Sequence, residues 1–163
     1  MSKQILLGYS HAFLSAADAH AAAAAEKGVD GEVDGMMCVI ALQNSATGAV
    51  KVLGKGANAV QMFSKKASAL SDVRDMPTHF DAYAVGEGKL QKPLGEEDGP
   101  FGWMPMWNSP ETILILSRRR GEENPTSYEV TIQPTLVAVA ELVSAAAVAM
   151  GVEPSPPVKK LTQ

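Results

Sequence analysis

The chain has 163 residues, 46% of them hydrophobic and 20% charged, which suits one folded domain and excludes wholesale disorder. A formal charge of −4 excludes the broad basic field that nonspecific nucleic-acid binding needs, and it argues equally against an anionic membrane surface as partner. The single cysteine, Cys38, cannot form an internal disulfide, and a chain of this length can bury roughly two thirds of its unfolded surface without one.

Gln4 to Tyr9 reads as a short apolar strand, too short for a signal-peptide core, so a cytoplasmic protein without a secretion signal is expected. Ser10 can cap the Ala-rich helix that follows, His11 to Lys27, and Gly28 can end it. Phe13, Leu14, Ala17, Ala21 and Ala24 repeat at helical spacing and make a thin apolar face. The acidic link Asp30 to Gly35 leads into an expected β-hairpin. Met36–Gln43 and Ala49–Leu53 would be its strands, and Asn44 to Gly48 its turn. Asn58 can cap a second helix, Ala59 to Val73, with Val60, Phe63, Ala67 and Leu70 inward.

Phe80 to Val85 reads as a further short strand. Residues 86–110 turn to Gly, Pro and charge and are expected to form a long contact-making loop. Thr112–Ser117 and Tyr128–Gln133 would form a second hairpin. Pro134 opens the last helix, Thr135 to Met150, whose apolar stretch from Leu136 to Met150, about 22 Å long, falls short of a bilayer core. Residues 1–151 are thus expected to make one α+β domain. Its mainly antiparallel two-layer sheet would come from two hairpins with three helices packed on it, in the order β-α-β-β-α-loop-β-β-α. Residues 152–163, containing Pro154, Pro156 and Pro157, would extend as a tail.

Residue chemistry gives little purchase for catalysis. Gly54, Gly56 and Asn58 sit in a loose G-x-G-x-x-A pattern whose backbone amides could meet an anion, although a parallel β-α-β unit is missing. Arg118, Arg119 and Arg120 suit a phosphate-bearing ligand or an acidic partner, but Glu122 and Glu123 follow directly. His11 and His20 lie nine residues apart on one helix and point to opposite sides, and no H-x-x-x-H or C-x-x-C occurs, so neither a metal site nor a cofactor is expected. His11, Ser15 and Asp18 share a helix face without an oxyanion hole. Cys38 among Met37, Val39 and Ile40 reads as a small core hydrophobe, and an enzyme would need Cys38 or His79 to meet a partner from elsewhere.

Contact surfaces carry more signal. Phe101, Trp103, Met104, Met106 and Trp107 cluster in a segment otherwise rich in Gly and charge, and aromatics with Met are enriched in interface cores. The last helix is apolar almost all round, with only Glu141 and Ser144 polar, more than a two-layer domain can cover. The expectation is a non-enzymatic structural or assembly protein, in its narrowest form a capsid-stabilising or tail component of a virion. It would act through contacts with itself or with other subunits of a larger assembly, and the 101–107 segment and the prolines of the tail would make those contacts. The alternative is a domain that binds or sequesters a small anionic or nucleotide-like ligand.

Overall fold

Two series of small and apolar residues, spaced alternately three and four apart, organise the molecule. Leu7, Ser10, Leu14, Ala17, Ala21 and Ala24 form one, and Gly35, Cys38, Leu42, Ser45, Ala49 and Val52 the other; all are buried. This is the heptad spacing that seals one helix against another, and small side chains at the seam let the two backbones approach closely. In the computed structural model, which describes residues 2–85, 87–88, 104–109, 111–117 and 126–154 and gives the backbone alone for 104–109 and 114–117, these series lie on helices α1 (Lys3–Lys27) and α2 (Glu32–Leu53). A single 3-10 turn, Gly28–Gly31, joins them into an antiparallel hairpin.

Four further helices and a small sheet complete the described fold. Helices α3 (Asn58–Lys66), α4 (Leu70–Thr78) and α5 (Phe80–Ala84) follow the hairpin; strands β1 (Met104–Ser109), β2 (Thr112–Ser117) and β3 (Thr126–Thr131) form an antiparallel meander; α6 (Ile132–Ala149) follows β3 directly. In the β2–β3 register, Ile113 faces Val130 and Ile115 faces Tyr128, and Ile113, Tyr128 and Val130 are buried. Helix α6 packs on α1, α2 and α3 and buries Leu136, Val139, Leu142, Val143, Ala146 and Ala147.

Helix, not sheet, is the main component, so the expected α+β sandwich is corrected. Gln4 to Tyr9 is the first part of α1, and its N-cap is Ser2, whose Oγ accepts from the Ile5 amide at 3.3 Å. Ser10 is not a cap but a buried mid-helix residue, with its Oγ donating back to the Leu6 carbonyl at 2.9 Å. The hairpin expected over 36–53 is continuous α2; Gly48 lies within the helix, not in a turn. Phe80–Ala84 is helical, and the expected helix Ala59–Val73 breaks at Ala67 into α3 and α4. Strand β2 has the bounds that the sequence suggests, β3 begins two residues before the expected strand, and β1 arises within the expected long loop.

The α1–α2 stretch and α6 are long and apolar enough to cross a membrane by length and composition alone. In the fold, α6 spends that apolarity on α1, α2 and α3. The stripe it leaves outward is Val137, Glu141, Ser144 and Val148, with Glu141 held by Lys66 of α3 at 2.7 Å.

Candidate functional site

The α1–α2 seam is tight enough to dictate residue size. A Cβ on Gly31 would lie 2.5 Å from the Ala24 carbonyl oxygen, and one on Gly48 would lie 2.2 Å from Ser10 Oγ and 3.1 Å from the Leu6 carbonyl oxygen. Ser45 Oγ, fully buried, crosses the seam and donates to the Ser10 carbonyl at 2.7 Å. Such a crossing bond fixes the register of the two helices as well as satisfying a buried hydroxyl.

That register places a second stripe of each helix side by side on one edge of the seam. On α1 it is Leu6, Tyr9, Phe13, Ala16, His20 and Ala23; on α2 it is Asp34, Met37, Ala41, Asn44 and Gly48. The ends of this arrangement are pinned by contacts. Gly48 closes on the Leu6 carbonyl at one end, and His20 Nδ1 meets Asp34 Oδ1 at 3.0 Å at the other. Lys27 donates to the second oxygen of the same carboxylate. Hydrogen bonds from Lys27 and then His20 hold the Asp34 carboxyl below the usual carboxylate range, and the same contact raises Lys27.

The middle of this face is apolar and open. Tyr9 is 57% exposed, Met37 42% and Phe13 37%, around a floor of Ala16 and Ala41. Ile5 and Val33 flank it at 51% and 67%. Large side chains so exposed on neighbouring helical turns form a patch, and such patches on folded proteins mark contact sites more often than isolated exposed residues do. The seam, not the aromatic content, is what the sequence reading missed. The heptad of small residues is present in the sequence, but its Ser and Gly members look like cap and turn residues when read locally.

The residues singled out from sequence distribute differently. Gly54, Gly56 and Asn58 form a helix–turn–helix junction rather than a strand-to-helix loop: Gly54 ends α2 with φ 89°, Ala57 occupies the N-cap of α3, and Asn58 reaches Met62 Sδ at 3.9 Å. Met104, Met106 and Trp107 lie on β1, where only the backbone is described. Pro154 is exposed beyond α6; Phe101, Trp103, Arg118, Arg119, Arg120, Pro156 and Pro157 lie outside the described residues. Cys38 is fully buried, and burial pushes its thiol up to about 12, leaving it protonated and unreactive near neutral pH.

The chain matches no family model, no curated protein and no solved structure.

Other polar groupings are local. Asp75 accepts from Tyr83 Oη at 3.2 Å and sits 3.8 Å from His79 Nε2, which ties α4 to α5 across the break at His79. Among the described residues no group of three His, Cys, Asp or Glu side chains could hold a metal ion. A cleft of about 140 Å³ between the α3–α4 junction and the β3–α6 corner is lined by Lys66, Ser68, Leu70, Glu129, Thr131 and Thr135. Sites for organic ligands usually start at about 300 Å³.

Proposed function

We propose that the protein is a non-enzymatic assembly component, acting through contacts with further copies of itself or with other subunits of a larger particle. The observation that carries this reading is the open apolar edge of the α1–α2 hairpin, with Tyr9, Phe13 and Met37 exposed over a floor of small residues. A rigid two-helix face of this kind offers preorganised aromatic anchors, which lowers the ordering cost of association. The proposed contact surface therefore shifts from the 101–107 segment and the tail to the first two helices. The last helix no longer motivates it, because α6 covers most of its apolar surface inside the chain.

The test is a paired substitution, Tyr9→Lys with Phe13→Lys, followed by light scattering on a sizing column. Both side chains point outward, so helicity and unfolding midpoint should stay close to those of the parent. Association should weaken by about 30-fold or more, as expected when a central aromatic anchor worth about 2 kcal/mol is lost. Unchanged association of a folded variant would remove this face from the reading.

A further inference from the structure

Charge is unevenly distributed along the hairpin. Its closed end carries Glu26, Asp30, Glu32 and Asp34 against the single cation Lys27, whereas its open end carries Lys3, Lys51 and Lys55 with no carboxylate between residues 2 and 10 or 47 and 58. Lys3, Lys51, Lys55, Glu26 and Asp30 are all exposed. Asp18, the remaining carboxylate on α1, lies mid-helix, two residues from Ala16, and belongs to neither end. The apolar edge therefore runs from a basic end to an acidic end.

From this polarity we infer that the edge docks on the same edge of a second copy, head to tail, about a two-fold axis that crosses the hairpin near Ala16 and Ala41. This inference rests on the assembly reading above and specifies its geometry. Two ways exist to stack such a face on itself with two-fold symmetry. An axis along the helices lays acid on acid and base on base, and like charges in register are unfavourable. An axis across the helices reverses one copy, lays each acidic end on a basic end, and sets α1 antiparallel to α1 of the second copy. In that arrangement Tyr9 and Phe13 lie over the Ala19-to-Ala23 half of the second copy, so large side chains meet small ones.

The dimensions agree with a stable contact. Helix α1 has 25 residues and is about 37 Å long at 1.5 Å per residue. Two side-by-side helices about 10 Å wide give a footprint of roughly 700 Å², close to the roughly 800 Å² that each partner contributes to a standard interface. Both the charged ends and the apolar middle are then used.

The experiment has two arms on the full chain. In the first, a nitroxide label is placed at Gln4→Cys, an exposed and uncharged position twelve residues from Ala16, and label–label distances are measured by pulsed electron resonance. The head-to-tail arrangement separates the two labels by about 36 Å along the helices, whereas same-end stacking brings them within about 20 Å. In the second arm, one variant carries Lys3→Glu, Lys51→Glu and Lys55→Glu, and another carries Glu26→Lys, Asp30→Lys and Glu32→Lys. Each alone should associate at least tenfold more weakly than the parent, and a mixture of the two should recover association.

A short label distance, or homotypic association untouched by either charge reversal, would overturn the head-to-tail geometry while leaving self-assembly standing. A parent chain that stays monomeric would overturn both. Should the triple variants unfold, the Gln4 label alone decides the geometry.

Discussion

Three glycines of the α1–α2 hairpin, one in each helix and one in the turn between them, carry different expectations, because a methyl group meets different surroundings at each. Gly8 is exposed within α1 with nothing near its missing Cβ, so Gly8→Ala should stabilise the fold by about 0.5–1 kcal/mol through helix propensity. Gly31 faces the Ala24 backbone, which cannot swing aside, so Gly31→Ala should cost about 1–3 kcal/mol in urea unfolding. Gly48 meets a movable Ser10 hydroxyl as well as the Leu6 carbonyl, and its alanine variant should fall between the two. Asp34 gives a pH signature at the same scale. Its carboxyl is held below the ordinary value by Lys27 and His20, so its contribution is present above about pH 4 and is lost as pH falls through the depressed folded value. Lys27 is raised by the same pair, so its share persists at neutral pH and fades only as pH rises beyond its folded value, above about 10. Melting curves of the parent and Asp34→Asn should therefore differ most near pH 7, with the gap narrowing progressively as pH falls below about 4; a gap that does not narrow there would contradict the pairing.

Residue identity was partly legible before the fold was. Leu14, Ala17, Ala21 and Ala24 are inward as their spacing predicts, but Phe13, one position away, turns outward. The bulk of a large aromatic usually buries itself, whereas this seam admits only small side chains at most of its positions. Cys38 reads correctly as a core hydrophobe even though its strand does not exist, because burial depends on the seam rather than on the element type.

At the scale of elements, α2 shows why local reading fails. Val39, Ile40, Val50 and Val52 favour strands, and Asn44-Ser45-Ala46-Thr47-Gly48 favours a turn. The helix forms anyway because Gly35, Cys38, Leu42, Ser45, Ala49 and Val52 close on α1 along their whole length, and packing outweighs propensities of a few tenths of a kcal/mol per residue. The break between α3 and α4 at Ala67 carries no Gly or Pro to announce it. Strand β2 was legible because its β-branched run is paired on both sides. Helix α6 is legible as a helix, and its apolar circumference meets three helices and a strand of the same chain, while Val137 and Val148 stay outward. Leu142, in the centre of that contact, is 1% exposed, and Leu142→Ala should cost about 2–5 kcal/mol; a loss well under 1 kcal/mol would mean that α6 is not the core helix described.

For the molecule as a whole, the sequence points to more apolar surface than one copy covers and places it on the 101–107 segment, the last helix and the tail; the side chains of the first and most of the tail lie outside the described residues. The surplus that the described residues carry is the edge of the hairpin, where Tyr9, Phe13 and Met37 stand between an acidic and a basic end. A self-associating protein of this construction should also respond to salt: screening of the charged ends above about 0.5 M should weaken association, while the apolar centre keeps it from vanishing. Sedimentation equilibrium of the unmodified chain over a micromolar concentration series tests the central claim most directly. The account predicts an apparent mass that rises with concentration from 17.1 kDa to at least its double, and a mass fixed at 17.1 kDa across the whole series would contradict it.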